Sequence, residues 1–107
     1  MKKGDIILIS FPFTDLTGSK LRPAVVLASN ELDVTVAFIT TQLKWREEFD
    51  VLLSPNLTNG LKMDSMIRLS KIATLDVELV EGKLGNVTTD DILLINNSLI
   101  KLFKLKN

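Results

Sequence analysis

The chain contains no cysteine, which excludes disulfides, thiolate nucleophiles and cysteine-held metals. Histidine is also absent, so the commonest general base and the commonest transition-metal ligand are both missing. In any enzymatic reading, proton transfer falls to carboxylates, lysine, arginine, hydroxyls or water. No cofactor is expected, and no metal site. Charge of one sign is lacking too. Lys+Arg and Asp+Glu are each 13 of 107 residues, so there is neither an overall positive field for nucleic acid nor the acidic excess of a disordered chain. Long hydrophobic runs are missing as well. The longest, Ile92 to Leu105, is interrupted by Asn96, Asn97, Ser98, Lys101 and Lys104 and is too short and polar to span a bilayer. The charged start Met1-Lys2-Lys3-Gly4-Asp5 leads into a short apolar stretch with no small-residue cleavage site. The expectation is a soluble, cytoplasmic protein without membrane association, folded as one domain over residues 1–107.

What is present is a series of short β-rich runs and one helix. Asp5 to Phe11 is apolar on both alternating faces at its start, the mark of a strand covered on two sides. Residues 12–21 carry Gly, Ser, Thr and Asp and form a loop long enough to suggest function. Pro23 restricts Arg22 to extended backbone and suits the first residue of a strand, and Ala24 to Ala28 reads as a central strand. Strands follow at Val34 to Thr41 and Phe49 to Leu53, separated by a polar segment at Lys44 to Glu48, and a turn region at Ser54 to Gly60. Met66 to Leu69 and Lys71 to Leu75 read as one bent strand or two short ones, and Gly85-Asn86 marks an exit. The only convincing helix starts at Thr88 or Thr89 with Asp90 and Asp91 at its N-terminus. Its apolar positions Ile92, Ile95, Leu99, Leu102 and Phe103 recur at helical spacing. Short strands followed by a terminal helix predict a mainly β domain, a small twisted sheet or partly open barrel closed by the helix.

Several motifs in this order resemble the MazF/PemK toxins. They are Gly4-Asp5-Ile6-Ile7, Lys20-Leu21-Arg22-Pro23-Ala24-Val25-Val26-Leu27, Ile39-Thr40-Thr41-Gln42, Asp64-Ser65-Met66-Ile67-Arg68-Leu69, and Gly82-Lys83-Leu84-Gly85 before the helix. The resemblance implies an SH3-like barrel of the CcdB/PemK type and a homodimer. It also implies a metal-independent endoribonuclease held inactive by a small cognate antitoxin. Such enzymes cut single-stranded RNA, with the neighbouring 2′-OH as nucleophile and a 2′,3′-cyclic phosphate and 5′-OH as products.

On that resemblance the catalytic candidates are Arg22, Thr40 and Arg68. Cleavage by an internal 2′-OH requires alignment, two proton movements and stabilisation of a phosphorane. Arginine's fork of donors matches phosphate oxygens, and a threonine hydroxyl can hold the phosphate or the 2′-OH. Strand alternation predicts that only one of Thr40 and Thr41 faces the site. The RNA-binding candidates are Phe13, Lys20, Thr41, Gln42, Trp45, Arg46, Asp64, Ser70 and Lys71, because single-stranded RNA binds basic grooves and aromatic faces. The chain departs from the family pattern at Ser70, a position acidic in several members, and at Ala73, where arginine is common. The general base therefore stays open among Arg22, water, Asp64 and Asp15.

Two other readings follow from the same residues. One is a non-catalytic, gyrase-binding toxin of the CcdB kind, which lacks the Arg22 and Thr40 pairing. The other is a degenerate member that only binds antitoxin or RNA, motivated by Ser70 and Ala73. Charge distribution favours a nucleic-acid role despite zero net charge. Six of the 13 basic residues (Lys20, Arg22, Lys44, Arg46, Arg68, Lys71) lie on the segments expected to form the groove, and the chain after Lys71 holds five of the 13 acids.

Overall fold

The computed structural model describes residues 1–12 and 19–106, with residues 11, 12 and 19 described in their backbone only. Six strands, β1 (Asp5–Pro12), β2 (Ser19–Ser29), β3 (Asp33–Thr40), β4 (Val51–Leu53), β5 (Ser65–Asp76) and β6 (Val80–Asn86), precede one helix, α1 (Thr89–Phe103). They form a single sheet in the order β4-β5-β3-β2-β1-β6, antiparallel at every pairing. Single 3₁₀ turns lie at Leu43–Trp45 and Val77–Leu79.

The expected double coverage of the first strand is present across the middle of the sheet. On one face Ile6, Val25, Ala37, Ile39, Ile67 and Leu69 pack with Ile95 of α1, which adds Ile92, Leu99 and Leu102. On the other, Ile7, Ile9, Ala24, Val26, Val34 and Val36 form a second buried cluster, joined by Phe38, Leu75, Leu79 and Val80. Alternation along each strand sends neighbouring side chains to the two clusters. The helix is fixed at its start by a capping box. The Thr88 hydroxyl accepts from the Asp91 N–H at 3.1 Å, and the Asp91 carboxylate accepts from the Thr88 N–H at 3.2 Å. It ends at Lys104, in left-handed backbone with φ 55°.

The strands β2 and β6 differ from the sequence reading, and β5 decides between the two forms that reading left open. β2 begins at Ser19, four residues before Pro23, because its first part pairs with β1 alone, from Pro12↔Ser19 to Leu8↔Pro23. The ladder to β3 starts only at Ala24↔Phe38, so Pro23, which has no N–H, sits where β2 has one neighbour. β6 was not expected as a strand at all. Its sequence VEGKLGN has two glycines and two charges, a composition suited to an edge strand. β5 is one strand with a pronounced bend. The register jumps from Ala37↔Ile72 to Phe38↔Arg68, leaving Leu69, Ser70 and Lys71 without partners in β3.

Candidate functional site: a cleft at the β2–β3 end

Register places the two strongest candidates together. Ala24 pairs with Phe38. Arg22 shares a face of β2 with Ala24, and Thr40 shares a face of β3 with Phe38, since side chains alternate with period two. Arg22 and Thr40 therefore project from neighbouring strands on one side, at the end where β3 stops. An open cleft of about 370 Å³ lies there. Lys20, Leu21, Arg22 and Pro23 form one wall, Ile39 to Gln42 the floor, and Leu61, Lys62, Met63 and Ser65 the far wall. Arg22 is exposed and Thr40 half-buried. The Thr40 hydroxyl accepts from the Gln42 N–H at 3.1 Å, which leaves its own O–H as a donor. Thr41 lines the cleft as well as Thr40. β3 ends at Thr40, so strand alternation does not set the direction of Thr41.

The far wall was not anticipated, since none of Leu61, Lys62, Met63 and Ser65 was a candidate. It is built by the turn region around Asn59, which is fully buried. The Asn59 side chain accepts from the N–H groups of Asn56 at 3.2 Å and Leu61 at 3.0 Å, and donates to the Ser54 carbonyl at 2.9 Å. Asn56 in turn accepts from the N–H groups of Thr58 and Asn59, both at 2.9 Å. Gly60 follows with φ +69°, its backbone pressed on the Leu84 carbonyl so closely that a Cβ would overlap it. The chain thus leaves the turn in a fixed direction and presents Lys62 and Met63 at the cleft. The sequence signal was the Asn56…Asn59-Gly60 pattern, legible as a turn but silent on what the turn carries.

The remaining candidates are dispersed. Arg68 shares the face of Arg22 and Thr40 through its pairing with Phe38, but it does not line the cleft. Its guanidinium meets Glu47 Oε1 at 2.5 Å and Asp50 Oδ2 at 3.3 Å. Trp45 lies on the 3₁₀ turn just past Gln42, 57% exposed, with Lys44 Nζ 5.5 Å from its ring centre. Arg46 and Asp64 are exposed and outside the cleft lining, as is Lys71 on the bend of β5. Ser70 lies in a different depression, of about 440 Å³, with Leu69, Ile72, Leu102 and Phe103. Phe13 and Asp15 lie outside the described residues.

The Gly4-Asp5 motif serves as an anchor. Gly4, at φ 95°, bonds through its N–H to the Val26 carbonyl and through its carbonyl to the Val87 N–H, both at 2.9 Å. Asp5 is buried. Its carboxylate accepts from the Lys2 N–H at 3.0 Å and lies 3.2 Å from Lys83 Nζ. Burial pushes the Asp5 carboxyl up, but the Lys2 N–H and the Lys83 ammonium together outweigh it and hold the group below its ordinary value.

A mainly antiparallel sheet closed by a C-terminal helix, with an arginine and a threonine facing one open cleft at the strand ends, defines the class of structure. The chain matches the family of PemK-like, MazF-like toxins of type II toxin–antitoxin systems over residues 2–103, and it belongs to that family. The fold is similar to that of Mycobacterium tuberculosis toxin MazF-mt6, with a TM-score of 0.78 and 22% identity, covering 96% of this chain and 99% of that one. It is also similar to a mycobacterial endoribonuclease solved in complex with its cognate antitoxin, with a TM-score of 0.74 and 20% identity, covering 100% and 96% of the two chains. A further endoribonuclease from a mycobacterial species gives a TM-score of 0.74 at 21% identity, covering 100% and 94% of the two chains. No curated protein sequence matches the chain.

Proposed function

We propose that the chain is a toxin-type endoribonuclease that cleaves single-stranded RNA at the Arg22–Thr40 cleft, without a metal. The observation that carries this is the convergence of Arg22 and Thr40 on one cleft, with Lys20 and Lys62 on its walls, in a member of a family whose structural neighbours include endoribonucleases. The reaction needs no nucleophile from the protein. The 2′-oxygen attacks the adjacent phosphorus, its proton leaves to a base, the P–O5′ bond breaks, and the 5′-oxygen is protonated. A 2′,3′-cyclic phosphate and a 5′-OH result. Arg22 neutralises the non-bridging oxygens as the phosphorane forms. Thr40 donates to a phosphate oxygen or orients the 2′-OH. Lys20, Gln42 and Lys62 hold flanking phosphates and sugars. A cognate antitoxin would cover the same cleft, and the active form is a cytoplasmic homodimer.

The test is to incubate the purified protein with a long single-stranded RNA in the presence of EDTA and to map the ends. Cyclic-phosphate and 5′-OH ends are expected. Arg22→Ala should lower the rate by about 10²–10³, the usual effect of removing a donor aimed at developing charge, measured on protein that circular dichroism shows to be folded. Absence of cleavage across diverse RNAs would overturn the reading. Gyrase inhibition in its place would select the CcdB-like alternative.

A further inference from the structure

The segment between Gln42 and Val51 leaves the cleft and returns to the sheet with little of its own to hold it. Residues 41–48 are exposed, and the one regular piece is the turn Leu43–Trp45. Its anchor is Asp50, whose side chain is completely buried. Asp50 Oδ2 accepts from the Glu47 N–H at 2.8 Å and faces Arg68 Nε at 3.3 Å. Glu47 Oε1 accepts from the other end of the same guanidinium. One arginine on the rigid strand β5, only 13% exposed, is therefore gripped by two carboxylates of the segment. An exposed ion pair contributes little, but a buried carboxylate stripped of its partner is strongly destabilising. The Asp50–Arg68 contact is thus a fixed point of the segment.

We propose that Arg68 is a positioning residue. Held by Asp50 and Glu47, it sets the Leu43–Trp45 turn beside Gln42, so that the exposed Trp45 ring is a preformed stacking platform for a base next to the cleft. This rests on the RNA reading above. Arg68 Nη2 bonds to Glu47, its Nε is ion-paired with Asp50 without a hydrogen bond, and Arg68 lies outside the cleft lining, so it acts through the turn and not on the reacting phosphate. The Trp45 N–H bonds back to the Gln42 carbonyl at 3.2 Å, which places the ring one turn from a cleft-lining residue. Base–aromatic stacking is tolerant of sequence, so the platform adds affinity while the cleft supplies the chemistry.

The chain has one tryptophan and no tyrosine, so its intrinsic fluorescence reports this turn alone. The experiment compares wild type, Glu47→Gln and Asp50→Asn by Trp45 fluorescence anisotropy, melting temperature, binding of a 2′-O-methyl oligonucleotide that cannot be cleaved, and steady-state RNA cleavage. Glu47→Gln, at an exposed position, should fold with a near-wild-type melting temperature. Its Trp45 anisotropy should fall and its KM rise about tenfold, the order of losing one base–aromatic stack, with kcat changed by no more than about twofold. Asp50→Asn should show the same changes, larger. Unchanged anisotropy in Glu47→Gln overturns the clamp whether or not the protein cleaves RNA. Tighter oligonucleotide binding by Glu47→Gln also overturns it, because Glu47 would then be masking a phosphate site on Arg68. A fall in kcat at constant KM overturns it in favour of Arg68 acting on the reacting atoms. If wild type cleaves no RNA, the RNA reading fails, and the anisotropy still decides the clamp.

Discussion

Asp5 shows how much one buried carboxylate can govern. It joins the N-terminal residues to β6 through Lys2 and Lys83, and its native affinity for a proton is lower than in the unfolded chain. As pH falls, the unfolded state takes up that proton first. The stability Asp5 contributes is full above its unfolded value of about 3.9 and is lost as pH drops through the lower native value. Lys83→Met removes the ammonium and raises the native value. The expected outcome is an acid-unfolding midpoint shifted to higher pH, followed by circular dichroism from about pH 6 to pH 2. An unmoved midpoint would show that Lys83 does not hold the carboxylate. Arg22 and Thr40 illustrate a different kind of residue. Each is an ordinary strand or loop residue by composition; the ordered motifs single them out, and the register puts them on one face.

Among the elements, the turn from Ser54 to Leu61 does the most for the cleft relative to its length. Asn59 satisfies the backbone from inside, and Gly60 permits the positive φ and the close approach to Leu84. Gly60→Ala should therefore destabilise the protein by about 1–3 kcal/mol, measured by denaturant unfolding. It should also weaken RNA binding, since Lys62 and Met63 leave this turn directly. Wild-type stability in the variant would mean that β6 yields easily. The edge strand β6 has no strong β-forming sequence, and its place follows from β1, whose outer edge it covers.

At the scale of the whole molecule, zero net charge coexists with a local concentration of cations. Lys20, Arg22 and Lys62 line the cleft. If these three meet phosphates of single-stranded RNA, log K should fall with log salt at a slope of about −2, from roughly 0.7 per phosphate. Lys62→Ala should make the slope shallower by about 0.7. Filter binding of the non-cleavable oligonucleotide across a salt series measures both, and a slope near zero would remove the electrostatic part of the argument. Among the described residues no helix is long and apolar enough to cross a membrane.

Much of the architecture was determined by sequence alone. Apolar alternation defined β1, β3 and the central part of β2, and helical spacing with a Thr88/Asp91 box defined α1, because these are short-range patterns tied to backbone geometry. The ordered motifs from Gly4-Asp5 to Gly82-Lys83-Leu84-Gly85 carried the family resemblance and pointed to Arg22 and Thr40. Tertiary structure alone decided that β6 is a strand, since edge pairing depends on a neighbour distant in sequence. It also decided that Lys62 and Met63 wall the cleft, and that Arg68 faces Glu47 and Asp50 rather than the cleft lining. An arginine's reach and its choice among carboxylates and phosphates are set by which groups the folded chain brings within a few ångströms, and no local pattern encodes that.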